Sequence, residues 1–224
     1  MKRELITTKD GSKTLLINGL EETYHSKHGA LQEAIHVFIN NGLNLINSCE
    51  INILELGFGT GLNVLVTIDE YLKKNTDNKI HYFGVEKYPI FFEEASELSY
   101  SELFVNNFVK DLSLKIHQLD WEVSNKLTEN FYLTKLRKDF FDLKSTNLPP
   151  IDLVYFDCFG ARVQPDLWEI ELLEIVASKM KSGGLLTTYA SKGSVRRNLI
   201  ELGFEVEKKQ GPPGKREMMI AWKK

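Results

Sequence analysis

A doubly wound α/β fold around a mostly parallel sheet is what this 224-residue sequence predicts. From Ile51 onward, short apolar runs that read as fully buried strands alternate with amphipathic helices, the pattern of a parallel sheet covered on both faces. A glycine-rich turn, Gly57-Phe-Gly59-Thr-Gly61, stands where the first of these strands passes into its helix. Single acidic residues recur at the ends of later strands, at Glu86, Asp139 and Asp157, where open α/β sheets hold ligands.

The elements follow in order. Between Glu4 and Ile17, Asp10-Gly11 separates two β-rich segments, a hairpin signal. After Gly29, residues Leu31, Ala34, Ile35, Phe38 and Ile39 recur at helical spacing until Asn40-Asn41-Gly42 ends the pattern. Strand one is expected at Ile51 to Leu56 and its helix at Leu62 to Leu72, then strand two at Ile80 to Val85 and helical material from Pro89 to about Leu98. Ser99 to Asn130 reads as irregular helix. Phe131 to Leu136 and Ile151 to Phe156 are strands three and four, and Pro165 to Met180 is a helix with proline in its first turn. Gly183-Gly184 is expected to break that helix before strand five, Leu185 to Tyr189. A helix from about Gly193 to Leu202 and an antiparallel pair, Phe204 to Lys208 with Met218 to Trp222, close a seven-stranded sheet. Residues 1–48 are thus an N-terminal hairpin and helix packed on the core, and residues 49–224 the main domain, in one structural unit.

Composition bounds the function. With 42% hydrophobic and 26% charged residues, the chain is expected to fold. No apolar run approaches the roughly 18 residues of a membrane helix, and the start is not signal-like, so a cytoplasmic protein with no membrane partner is expected. Cys49 and Cys158 lack neighbours at zinc-ligand spacing, which predicts reduced thiols and no metal. Lys179 to Lys224 carries net +7, leaving −10 for Met1 to Ser178. A basic C-terminal fifth on an acidic protein fits a surface that meets phosphates, although such runs are commonly solvated faces.

The glycine turn is the sharpest local feature. Its G-x-G-x-G spacing differs from the dinucleotide fingerprint G-x-G-x-x-G, and a cofactor without phosphates, such as S-adenosylmethionine, suits it better. Tight strand-to-helix packing is the other account of such a turn. Glu86 ends strand two, where a carboxylate can accept both ribose hydroxyls. Asp139 can take an adenine amino group while Phe140 covers the ring. Each acid alone also reads as a solvated loop residue; with Glu55 they arrive together at successive strand ends. Asp157 is followed by Cys158-Phe-Gly-Ala and not by the Pro-Pro-aromatic signature of enzymes acting on exocyclic ring amines. A lone carboxylate suits a flexible alkyl amine, and Asp157 is the candidate catalytic residue. Capping of the turn before Pro165 is its alternative role.

A broader set of residues points the same way. It comprises Tyr24-His-Ser26 with Gly29 and Glu33 ahead of Val37-Phe38, Glu55 through Asn63, Tyr82 with Glu86-Lys87-Tyr-Pro89, Asp139, and Asp157 with Phe159 and Pro165-Asp166-x-Trp168. It continues with Ser182-Gly-Gly, Tyr189-Ala-Ser191, Val195-Arg-Arg197, Leu202-Gly-Phe204 and Gly214-Lys-Arg-Glu-Met218. Over this span, about Tyr24 to Trp222, the sequence resembles the methyltransferase domain of the bifunctional enzymes that finish 5-methylaminomethyl-2-thiouridine at the tRNA wobble position. The resemblance implies a class I, Rossmann-like methyltransferase fold that transfers methyl from S-adenosylmethionine to the primary amine of 5-aminomethyl(-2-thio)uridine in tRNA, leaving S-adenosylhomocysteine. It implies cofactor contacts from Tyr24, Ser26, Glu33, Glu55, Gly57, Gly59, Gly61, Asn63, Glu86, Lys87, Asp139, Phe140, Asp157 and Phe159. Nothing in the chain resembles the family's flavin-dependent oxidase, so a stand-alone methyltransferase without FAD is expected.

The departures lie beside the acceptor position. The family's Asp-Gly-Phe-Ala-Pro reads Asp157-Cys158-Phe159-Gly160-Ala161, and Gln164 replaces an Asn. Candidates for tRNA phosphate contacts are Lys192, Arg196, Arg197, Lys215 and Arg216. Two other readings stand beside this one: a methyltransferase or aminopropyltransferase for a free small amine, and a non-catalytic RNA-binding module.

Overall fold

The computed structural model describes residues 3–19 and 22–224. The N-terminal hairpin forms as its turn signal demands: β1 (Arg3–Thr7) pairs antiparallel with β2 (Lys13–Ile17), with Asp10-Gly11 in the loop. The Asp10 carboxylate closes the turn by accepting from Thr8 Oγ1 at 2.6 Å and from the Ser12 amide at 3.0 Å. A two-residue strand, β3 (Glu22–Thr23), adds to the hairpin and was not anticipated.

The helix after Gly29 is not a regular α-helix throughout. Helix α1 (Ala30–Ala34) passes into a π-helical turn at Ile35–Asn40. The Val37 carbonyl accepts the Thr187 hydroxyl at 2.9 Å from the main sheet, and the Asn41 amide donates to His36 O, five residues back. This wider turn lets three consecutive residues, Val37, Phe38 and Ile39, all be buried.

The main sheet has eight strands in the order β10-β11-β9-β8-β4-β5-β7-β6. The five central strands are parallel: β4 (Glu50–Leu56), β5 (Lys79–Val85), β7 (Phe131–Leu136), β8 (Ile151–Phe156) and β9 (Met180–Thr188). β10 (Phe204–Gln210) and β11 (Glu217–Lys223) close one side antiparallel, as expected. The eighth strand is β6 (Ser124–Lys126), a short antiparallel edge whose polar residues gave no strand signal.

Helices α2 (Leu62–Lys74) and α4 (Asn107–Gln118) bury one face of the sheet together with α1, and α5 (Ile170–Lys179) and α6 (Gly193–Glu201) bury the other. Three local expectations are corrected. The stretch read as irregular helix contains α4, a regular twelve-residue helix capped by Asn106, whose side chain accepts from the Phe108 amide at 2.9 Å. The material after Pro89 is helical only at α3 (Phe92–Glu97). The helix expected from Pro165 is a 3-10 turn at Pro165–Trp168 followed by α5, with Glu169 extended between them. β9 then starts at Met180 and runs through Gly183-Gly184, so that pair does not stop a helix. It lies at a register shift against β8, where a Cβ on Gly184 would press on the Lys181 and Ile151 carbonyls.

After β4 the chain builds outward through β5 and β7, then returns to add β8 and β9 on the other side of β4. The carboxyl ends of β4, β5 and β8 therefore border a switch point, where loops on the two sides part and leave a crevice.

Candidate active site

A cleft of about 600 Å³ opens at that switch point, within the size range of small-molecule sites. Its floor is the bend after β4. Gly57 has φ +98°, and a Cβ there would lie 2.5 Å from the Asp157 carbonyl; Gly59 has φ +48° and lies against the Tyr24 ring. Both conformations and both approaches select glycine. Between them and Gly61, Thr60 is pinned by side chains: its hydroxyl accepts from Tyr100 at 3.0 Å and meets His25 Nε2 at 2.7 Å. Because the hydroxyl oxygen accepts from Tyr100, its own proton points to His25. Burial lowers His25 to about 4, so its ring is neutral and can accept that proton.

Of the fourteen expected cofactor contacts, twelve line the cleft. Glu55 and Gly61 do not. Glu55 is fully buried beneath the floor, and Gly61 packs on Ile116 at the back of the bend. Glu86, at the end of β5, accepts the Gly59 amide at 3.1 Å and the Tyr88 amide at 2.8 Å, tying the bend to the next strand. Burial raises its pKa, and these amides oppose the rise. Asp139 accepts the Phe141 amide at 3.0 Å and pairs with Lys87 at 2.8 Å, which holds its carboxyl low against the rise from burial.

On the opposite side, Asp157 follows β8. Its Oδ2 accepts from Asn63 Nδ2 at 2.8 Å, and the same amide donates to Glu55 Oε1 at 2.8 Å. Burial and then the neighbouring Glu33 push Asp157 up to about 7, opposed by the Asn63 hydrogen bond and by Lys215. Burial pushes Glu55 to about 8. Glu33 faces the same side of the cleft, accepting the Ser26 amide at 2.8 Å and Lys215 Nζ at 2.9 Å. Tyr24 overlies the bend, edge-on to Phe159 at 5.3 Å, with its hydroxyl held by Arg3 at 3.0 Å.

The basic residues divide. Lys192, Arg196, Arg197 and Arg216 are exposed and form no salt bridge among the described residues. Lys215 turns inward to the cleft, where its ammonium lies 3.6 Å from the centre of the Tyr189 ring. Sequence reasoning missed His25, Thr60 and Tyr189 as site residues. All three stood inside motifs already singled out, but nothing local marked their side chains as facing a ligand.

The family model for S-adenosyl-L-methionine-dependent methyltransferases matches residues 99–224, more than half of the chain. The chain belongs to this family. Its cofactor is therefore S-adenosyl-L-methionine, and the glycine bend, the Glu86 carboxylate and a cleft of this volume fit that molecule. The methyltransferase is 32% identical over 214 residues to the tRNA 5-methylaminomethyl-2-thiouridine biosynthesis bifunctional protein MnmC of Leptospira interrogans, covering 89% of this chain and 32% of that protein. It is 31% identical to the protein of the same name from Hydrogenovibrio crunogenus, over 88% of this chain and 31% of the relative. The chain thus spans about a third of the length of the curated relatives it matches. Among solved structures, MNMC2 of Aquifex aeolicus superimposes with a TM-score of 0.79 at 26% identity, over 99% of this chain and 70% of that one. A probable spermidine synthase from Corynebacterium glutamicum shares the fold alone, with a TM-score of 0.55 at 14% identity. No helix among the described residues is long and apolar enough to cross a membrane.

Proposed function

We propose that the methyltransferase converts 5-aminomethyl(-2-thio)uridine to 5-methylaminomethyl(-2-thio)uridine at the tRNA wobble position. The observation that carries the reading is Asp157: a single carboxylate at the acceptor side of the cleft, directly after β8, with Oδ2 anchored by Asn63 and Oδ1 left for a ligand. The names of the curated relatives support the tRNA substrate.

In this reading Glu86 receives the cofactor ribose, the Gly57 to Gly59 backbone lies against its methionine part, and Phe140 covers the adenine. Asp139 takes the adenine amino group, sharing its carboxylate with Lys87. When bound, S-adenosylmethionine supplies a methyl group made electrophilic by its sulfonium. The protein's part is alignment and exclusion of water. Asp157 Oδ1 accepts a hydrogen bond from the aminomethyl group and turns the nitrogen lone pair toward the methyl. The amine must be neutral to attack, and a carboxylate that titrates near neutral pH can take up its proton. Tyr24 and Phe159 close the cleft over the reacting atoms. Transfer is redox-neutral and needs no flavin. A wobble uridine lies in a single-stranded loop, so moving its base into the cleft costs little pairing energy. Exposed Arg196, Arg197, Arg216 and Lys192 would meet phosphates. Such an enzyme would work in the cytoplasm, where mature tRNA is found.

The test is methyl transfer from labelled cofactor to tRNA isolated from cells lacking this protein, followed by nucleoside mass spectrometry. Label in 5-methylaminomethyl-uridine species, abolished by ribonuclease, is the expected result. Label in a free diamine such as putrescine in place of RNA would assign the acid-lined cleft to a small cationic amine. Cofactor binding without transfer to either would reject both.

A further inference from the structure

Asn63 stands in the first turn of α2, directly after the glycine bend, where a side chain would be expected to serve the cofactor. Its geometry points elsewhere. Nδ2 donates to two carboxylates at once, Glu55 Oε1 and Asp157 Oδ2, each at 2.8 Å. The amide nitrogen therefore faces the pair, and one carboxyl oxygen of each acid accepts from it. Asn63 is 2% exposed and Glu55 is 0% exposed, so neither can exchange this contact for water. The arrangement leaves one polar atom stranded: Asn63 Oδ1 is buried without a partner among the described residues, while Glu55 faces the Tyr82 hydroxyl. A buried amide held with its oxygen unpaired is costly, and it is retained where the other end of the amide has a task.

We propose that Asn63 is a positioning residue for the acceptor: it clamps Asp157 to Glu55, so that Asp157 presents one fixed oxygen, Oδ1, to the amine that is to be methylated. The proposal rests on the assignment of Asp157 to the acceptor. The clamp also sets the charge of Asp157, because a hydrogen bond given to a carboxylate favours its ionised form. Every element around Asp157 contributes a charged or titratable group: Glu55 on β4, Glu33 on α1, Tyr82 on β5 and Glu86 after it, Cys158 beside it, Tyr189 after β9 and Lys215 from the β10–β11 loop. Burial and Glu33 oppose ionisation, and only Asn63 and Lys215 favour it. Of these two, Asn63 alone touches the carboxylate with a hydrogen bond.

The test is Asn63→Leu, similar in volume but without donors, with Asn63→Ser as a second, smaller variant should the first not fold. Binding of S-adenosylhomocysteine by calorimetry is expected to stay within about threefold of wild type, while kcat falls about 10- to 100-fold from loss of alignment. The acid limb of the pH–rate profile should move to higher pH in both variants, since Asp157 loses a bond that favoured its charge. In an Asp157→Asn background the same substitutions should cost little more, a coupling that a merely structural role would not give. Weakened cofactor binding with an unmoved acid limb would overturn the proposal and return Asn63 to the cofactor. Full turnover by Asp157→Asn would instead overturn the assignment of Asp157, and the clamp with it.

Discussion

At the scale of single residues, the site is dominated by carboxyl groups that burial holds neutral further into the pH range than water would. Glu55 shows the consequence most clearly. Its ordinary pKa of 4.5 rises to about 8 in the folded chain, chiefly through burial. A group whose folded pKa is raised adds stability that is complete below the unfolded value and is lost as pH rises through the folded one. The protein should therefore lose stability between about pH 4.5 and pH 8, and Asp157 adds to the same slope. Replacing Glu55 with Gln removes one titrating group at nearly constant shape. The drop in Tm between pH 5 and pH 8.5, followed by circular dichroism, should shrink by about 8–16 °C in that variant. An unchanged drop would show that Glu55 is ionised in the fold. None of this was legible in the sequence, where Glu55, Glu86, Asp139 and Asp157 were equivalent acids at strand ends. Their separate environments arise from packing: Glu55 faces inward under the bend, while Asp139 is at the surface with Lys87.

At the scale of elements, α4 carries the least expected burden. It was hidden in a stretch read as irregular helix, although Val109, Leu112 and Ile116 already had helical spacing behind a capping Asn106. Its last turn supports the glycine bend: Ile116 Cδ1 lies 2.6 Å from where a Gly61 Cβ would be, and Phe58 packs edge-on to His117 at 6.4 Å. That turn is itself held by Lys135 of β7, a fully buried lysine whose Nζ donates to the Ile116 carbonyl at 2.8 Å and lies 4.7 Å from the centre of the Trp121 ring. A cation at a helix C-terminus is favoured by the partial negative charge of the free carbonyls. Lys135→Ala leaves a cavity and an orphaned carbonyl, and urea unfolding should show a loss of about 2–4 kcal/mol. Cofactor affinity should fall with it, because the bend loses its backing; an unaltered affinity would separate α4 from the site. Strands β4, β5, β7 and β8 were legible to within a residue because parallel strands buried on both faces are continuous apolar runs. The joint at Glu169 was not, since a 3-10 turn and the helix after it share one apolar pattern.

At the scale of the whole molecule, charge is segregated, and the segregation now has a place. The exposed Lys192, Arg196, Arg197 and Arg216 lie on α6, its approach and the β10–β11 loop, apart from the acid-lined cleft. If these residues meet RNA, log affinity for tRNA should fall linearly with log salt, and the combined Arg196→Ala, Arg197→Ala, Arg216→Ala variant should flatten that slope by about 2–3 while cofactor binding is untouched. Identical slopes measured by filter binding would locate the RNA elsewhere. Lys215 was grouped with these four by sequence and parts from them in space, because a loop can turn one neighbour inward and the next outward. The wall formed by Tyr24 to Ser26 is likewise invisible to local patterns: its fastenings come from Arg3 on Tyr24, Arg162 on Glu22 and Lys215 on Glu33, residues scattered along the chain. Those fastenings are ionic or polar, and the Arg162–Glu22 and Lys215–Glu33 pairs are open enough to solvent for electrolyte to weaken them. Spent cofactor should therefore leave faster as ionic strength rises, which stopped-flow release of S-adenosylhomocysteine would measure.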